Sequence, residues 1–195
     1  ALQAVEAAPR RIALKLAKPT TIKVTNGVAA LDELTIQAGR GSVAISGRAV
    51  DVLVGPAGAG KTTAMSALRT AWEREHGRGS VIGLAPSAVA AQVLSDDLGI
   101  RAENTAKWRQ THQETGATFR TDQLVIVDEA SLAGTLSLDR ITAHAVDVGA
   151  KVLLVGDWAQ LQSVTASGAF SLLVHDRDDA PELVDVHSFV NEWEK

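Results

Sequence analysis

The sequence predicts an α/β domain built on a parallel sheet, and three observations predict it. From residue 50 onward, short apolar runs of strand length alternate with segments of helix length. Those runs are continuously apolar, the pattern of strands covered on both faces by helices. Each run ends in a turn of glycine, proline or acid, and the carboxyl ends of parallel strands are where such sheets hold ligands.

Taken in order, Val50–Val54 is the first strand. It runs into Gly55-Pro56-Ala57-Gly58-Ala59-Gly60-Lys61-Thr62, and Thr62–Glu75 then reads as a helix ended by Gly77-Arg78-Gly79. Val81–Ala85 is the second strand, stopped by Pro86, with Ser87 placed to cap a helix over Ala88–Leu98. Asn104 and Thr105 are good caps for a further helix over Asn104–Gln110. Leu124–Val127 is the third strand, Leu136–Val148 a helix closed by Gly149, and Lys151–Val155 the fourth strand, with Glu182–Val186 as a fifth. Residues 1–47 are set apart as an N-terminal extension, part of an accessory subdomain. There Arg10–Leu16 reads as strand or short helix before Pro19, Val28–Leu34 looks helical, and residues 39–47 are rich in glycine and serine. Residues 48–195 form the main domain.

Composition excludes several classes. Hydrophobic content of 46% with 22% charged residues is that of a soluble globular chain able to bury a core. With no cysteine, neither a disulfide frame nor a thiolate metal site is possible. No apolar run reaches the length of a membrane span and no secretory leader is evident, so a cytoplasmic location is expected. The first residue is alanine, which predicts a piece of something longer. A net charge of −4 argues against nonspecific coating of nucleic acid. Residues 1–50 nevertheless carry seven Lys/Arg against three Asp/Glu, a basic stretch that suits a phosphate backbone or a plain solvated face.

Strand, glycine-rich loop and helix are the context that a phosphate-binding G-x-x-x-x-G-K-[ST] loop requires. Glycines let successive N–H groups point inward at phosphate oxygens, and the helix N-terminus adds partial positive charge. Lys61 can reach the β- and γ-phosphates, and Thr62 supplies a hydroxyl for Mg²⁺, followed by Thr63 in the same turn. By chance the pattern occurs in about one chain in a hundred of this length. The surrounding strand and helix make the phosphate reading the stronger one.

The third strand runs straight into Asp128-Glu129-Ala130-Ser131. Asp128 can hold Mg²⁺ through a water, and Glu129, one residue further out, can activate an attacking water. The fourth strand ends in Gly156-Asp157-Trp158-Ala159-Gln160-Leu161. Gln160 can touch a γ-phosphate or the lytic water, while Asp157 can brace the loop or reach the metal. Trp158 stacks on a base or packs against a neighbouring domain. Trp72, Trp108 and Trp193 pack into or along the core. Gln37, upstream of the loop, can read an adenine edge through its amide or be an ordinary surface glutamine.

Gly55–Thr62, Leu84-Ala85-Pro86-Ser87, Val127–Ser131 and Gly156–Leu161, in that order, resemble motifs I, Ia, II and III of superfamily 1 DNA helicases, the RecD-like branch above all. The wording around the first motif and the ending Phe189-Val190-Asn191-Glu192-Trp193-Glu194 look like the helicase part of conjugative relaxases. The resemblance covers residues 48–195 and implies a first RecA-like motor domain with strand order 5-1-4-3-2. It implies ATP and Mg²⁺ as ligands and single-stranded DNA as track. Carried over by position, Lys61 and Thr62 hold phosphate and metal, Asp128 supports the metal, Glu129 is the general base and Gln160 senses the γ-phosphate. Ala85, Pro86 and Ser87 would lie along the DNA.

Two departures stand out. The family's adenine-reading glutamine lies in a helix, whereas Gln37 sits among glycines. The chain also stops after the fourth motif, so the second RecA-like domain with its arginine finger is expected outside these residues. No tyrosine is present and no His-rich site, so relaxase nicking is not expected here. The expected function is therefore the ATP-binding half of a DNA helicase, nearly inactive alone. The alternatives are a nucleotide-gated binding module and a P-loop ATPase that is not a helicase.

Overall fold

The computed structural model describes residues 48–157, 169–175 and Leu183, together with the backbone of five short strands between residues 15 and 46. Those five are β1 (Lys15–Leu16), β2 (Ile22–Thr25), β3 (Val28–Leu31), β4 (Glu33–Ala38) and β5 (Gly41–Ser46). They form an antiparallel sheet in the order β1-β4-β5 and a separate β2-β3 pair. The helix expected over Val28–Leu34 is therefore two strands. The reason is legible afterwards: Thr25 pairs with Val28, and Asn26-Gly27 between them in sequence is a strong two-residue hairpin signal. Gln37 accordingly belongs to β4, paired with Ser42 of β5, and to no helix.

The central sheet contains β6 (Val50–Val54), β7 (Val81–Ala85), β8 (Arg101–Asn104), β9 (Leu124–Val127) and β10 (Lys151–Gly156). Its order is β6-β10-β9-β7-β8, and every pairing is parallel. The first four expected strands thus stand side by side in the expected succession. The added edge strand β8 was not foreseen, because Arg-Ala-Glu-Asn is polar and its residues are exposed or half-buried. The fifth strand expected over Glu182–Val186 lies outside the described residues except for Leu183. Its N–H donates to the Val54 carbonyl at 2.8 Å, at the end of β6.

Helices cover both faces. α1 (Lys61–His76) and α2 (Ala88–Leu98) pack with Leu53, Ile126, Leu153 and Val155 on one side. α4 (Thr135–Val148) and α5 (Ala169–His175) pack with Val52, Val125, Val127 and Leu154 on the other, where Trp108 of α3 (Thr105–Thr115) also lies. The division follows from connection handedness. The chain moves outward from β6 to β8 and then back, so right-handed crossovers place the later helices on the opposite face. Successive residues of β6 and β10 alternate between the two cores, and burying each such side chain stabilises the fold by about 1.5–3 kcal/mol.

The caps act as their residue types require. Ser87 Oγ accepts from the Ala90 N–H at 3.1 Å, and Asn104 Oδ1 from Lys107 N–H at 2.8 Å. Trp72 packs beside the core while its indole N–H donates to the Asp122 carbonyl at 2.9 Å. Trp108 stacks on Phe119 with ring centres 4.9 Å apart. Trp193 lies outside the described residues.

Candidate nucleotide-binding site

The carboxyl ends of β6, β9 and β10, three neighbouring strands, bring the first, third and fourth expected motifs together. The loop Gly55–Gly60 leaves β6 with its first amide held by Gly156 of β10 (Gly55 N–H to carbonyl, 3.2 Å). Ala59 N–H then bonds back to the Pro56 carbonyl at 3.2 Å, curling the loop on itself. Gly58 and Gly60 have φ of 77° and 85°, a region closed to most side-chain-bearing residues, so two of the motif glycines are required by backbone geometry. Gly60 also starts α1, its carbonyl accepting from Ala64 N–H at 3.0 Å.

Lys61 is half-buried, and its ammonium folds over the loop. It donates to the carbonyls of Gly55 at 2.7 Å and Pro56 at 2.8 Å. Burial holds its pKa below the usual lysine value, while the charges of Asp157 and then Asp128 act in the opposite sense. Thr62 is exposed and Thr63 half-buried in the first turn of α1.

Asp128 continues β9, its N–H donating to the Leu84 carbonyl at 2.9 Å. Burial raises its pKa, opposed by the hydrogen bond from the Glu129 amide (2.9 Å) and by the charge of Lys61. Glu129 is half-buried and adopts a left-handed backbone conformation with φ of 49°. For a non-glycine residue that costs about 1–2 kcal/mol. The bend turns the chain out of β9 into the 3₁₀ turn Ala130–Leu132 and sets Glu129 beyond Asp128.

At the end of β10, Asp157 is half-buried. A Cβ on Gly156 would run into the ring of Phe170, which is 2% exposed, so this glycine admits a neighbouring ring. The sequence reading missed Phe170, since nothing in its spacing marks it. Gln160 and Trp158 lie outside the described residues. Ala85, at the end of β7, is wholly buried, so of the Ala85-Pro86-Ser87 turn only half-buried Pro86 and exposed Ser87 present surface. Among the described residues no three His, Cys, Asp or Glu side chains converge to hold a metal by themselves.

A parallel sheet with a glycine loop, a lysine folded over it and two acids at the end of the next strand but one defines the P-loop class of nucleotide-binding domains. The chain belongs to the AAA domain family, whose sequence model matches residues 37–195. It is 36% identical over 145 residues to the conjugal transfer protein TraA of Rhizobium radiobacter, covering 74% of this chain and 13% of TraA. It is 31% identical over 160 residues to the RecBCD enzyme subunit RecD of Mycobacterium tuberculosis, covering 67% of this chain and 28% of RecD. Among solved structures, the Pif1 helicase of Candida albicans aligns with a TM-score of 0.48 at 15% identity, covering 71% of this chain and 36% of that one. The chain therefore spans well under a third of the curated relatives it matches.

Proposed function

We propose that this domain is the ATP-binding half of an ATP-dependent DNA helicase or translocase that moves on single-stranded DNA, within a longer conjugative relaxase-helicase. The observation that carries the proposal is that Lys61, after β6, and Asp128 and Glu129, after β9, stand at the same end of the sheet, with the Lys61 and Asp128 charges acting on each other. Lys61 binds the β- and γ-phosphates by exchanging its two loop carbonyls for phosphate oxygens. Thr62 and Asp128 supply hydroxyl and carboxylate oxygens for Mg²⁺, which suits an ion that keeps much of its shell as water and phosphate oxygen. Bound there, the ion neutralises charge on the transferring phosphoryl group. Glu129 takes the proton of the attacking water, Asp157 braces the turn, and Gln160 registers the γ-phosphate. Pro86 and Ser87 face the DNA.

On this reading the 195 residues alone bind ATP–Mg²⁺ weakly and hydrolyse it near background. The first arginine after the loop supports it: the Arg69 guanidinium is held by Glu73 at 2.9 Å and by the Leu98 carbonyl at 2.7 Å, away from any phosphate. An arginine finger contributes about three to five orders of magnitude in rate, and a second RecA-like domain would supply it. Titration of fluorescent ATP into the chain and its Lys61→Ala variant tests the phosphate assignment. Loss of about tenfold or more in affinity is expected, from removal of a charge-assisted contact. Equal affinity in the two proteins would sink it.

A further inference from the structure

At the opposite end of the sheet, a cavity of about 660 Å³ opens under the starts of β7 and β8. Its walls include Arg78, Arg101, Arg120 and Gln123, none of which the nucleotide site uses. The hydrogen-bonding groups there are unevenly occupied. Glu73, the acid on the same wall, has both oxygens engaged, one by Arg69 and the other by the Gly79 N–H at 2.8 Å. Glu103, on the β8 wall, pairs with Lys107 at 2.9 Å.

The donors are the reverse. Arg78 and Arg101 are exposed, and their guanidinium groups make no hydrogen bond or ion pair among the described residues. Arg120 uses one Nη on the Gly79 carbonyl at 2.9 Å, leaving the rest of its fork. Gln123 is 6% exposed, and its Oε1 accepts from the Arg120 N–H at 3.1 Å. That bond fixes the amide so that Nε2 is the other atom, and Nε2 has no acceptor among the described residues. A buried amide donor without a partner costs about 1–3 kcal/mol unless something supplies the acceptor. Arg78, Arg101 and Arg120 are exposed, so water solvates their guanidinium groups in the free protein, and they keep their charge at every physiological pH for an anion that displaces it.

We propose that this cavity is a second anion site, which takes a phosphate-bearing ligand separate from the nucleotide at Gly55–Thr62. A phosphate group brings several acceptor oxygens and no obligatory donor, matching a wall on which Glu73 is fully engaged, Glu103 is paired with Lys107 and the guanidinium donors are open. Trp108 lines the same cavity, yet Phe119 stacks on its ring and His112 lies near-parallel at 5.8 Å. Its faces are taken, so the site selects for the phosphate and not for a base.

The test uses the 195-residue chain carrying Lys61→Ala, which silences the phosphate loop. Pyrophosphate is titrated at constant ionic strength while the Gln123 side-chain amide and the Arg120 Nε–H are followed by NMR. Saturable shifts of both are expected, weakened about tenfold or more in Arg78→Ala/Arg101→Ala, as for loss of charge-assisted bonds. A short oligothymidylate that produces the same shifts in competition with pyrophosphate identifies the phosphate as a nucleic-acid backbone. Shifts from pyrophosphate alone identify a small molecule, and either result upholds the site. Unmoved signals, or an affinity unchanged in the double-arginine variant, would overturn it.

Discussion

The two ends of the central sheet each set a lysine near aspartate, buried at one end and half-buried at the other, and they treat the charges in opposite ways. Where the strands begin, Lys151 and Asp51 meet at 2.7 Å with side chains 11% and 6% exposed, and Lys151 also donates to the Arg48 carbonyl. Where they end, Lys61 donates to backbone carbonyls while Asp128 and Asp157 act on it through space. The first pair is closed and holds β6 against β10. In the second arrangement no ion pair closes over Lys61 among the described residues, and beside it stands a left-handed Glu129. Stability sits at one end and the proposed chemistry at the other, and five substitutions at four positions separate them.

The largest effect belongs to the closed pair. Lys151→Met removes the ammonium that pairs with a buried carboxylate, and chemical denaturation should show a loss of about 3–5 kcal/mol. Adding Asp51→Leu should restore most of it, since replacing both ions with apolar groups is often neutral. Failure of the double variant to recover would mean that the pair also specifies the β6–β10 register.

Next comes Glu129→Gln in the longer helicase in which we place this domain. Phosphate release should fall by a factor on the order of a hundred or more while ATP is still bound. A normal rate would place the general base elsewhere. Glu129→Gly sharpens the point in the isolated chain, because glycine accepts φ near 49° without penalty. Thermal unfolding should show a gain of about 1 kcal/mol from relief of backbone strain, and a loss would show that the Glu129 side chain supports the fold.

The smallest effect is that of Asp128→Asn, and its sign is the informative part. Burial raises the Asp128 pKa above 3.8, so between 3.8 and the raised value the native state binds more protons than the unfolded one. Ionising Asp128 therefore lowers stability as pH rises through that interval, and the penalty persists at neutral pH. Asparagine keeps an oxygen for the Glu129 amide and carries no charge. The variant should melt slightly higher than the parent at pH 7, with the gap closing below pH 4. A lower melting point at pH 7 would mean that the carboxylate is better paired than its burial suggests.

What was legible in the sequence follows the same division. β6, β7, β9 and β10 are read directly because covered parallel strands are continuous apolar runs, and Ser87, Asn104 and Gly149 mark helix ends through capping chemistry. The loop Gly55–Thr62 is read because each residue type answers a requirement of phosphate. β8 escaped because an edge strand can be polar, and the β2–β3 hairpin because its apolar residues were counted at helical spacing while Asn26-Gly27 was overlooked. Phe170 against Gly156 and the open donors around Gln123 could not be read at all. Phe170 is 14 positions from Gly156 and Arg78 is 45 from Gln123, and only the folded sheet brings them together.

The fit of Phe170 onto Gly156 has a mechanical meaning. A ring resting on a bare α-carbon acts as a bearing, with no side chain to absorb play between the end of β10 and α5. A displacement of Gly156 is passed to Phe170, and through Phe170 to a helix whose first amide is tethered at 3.2 Å to Oγ1 of Thr135, the opening residue of α4. Movement at one strand end thereby becomes movement of two helices on the outer face.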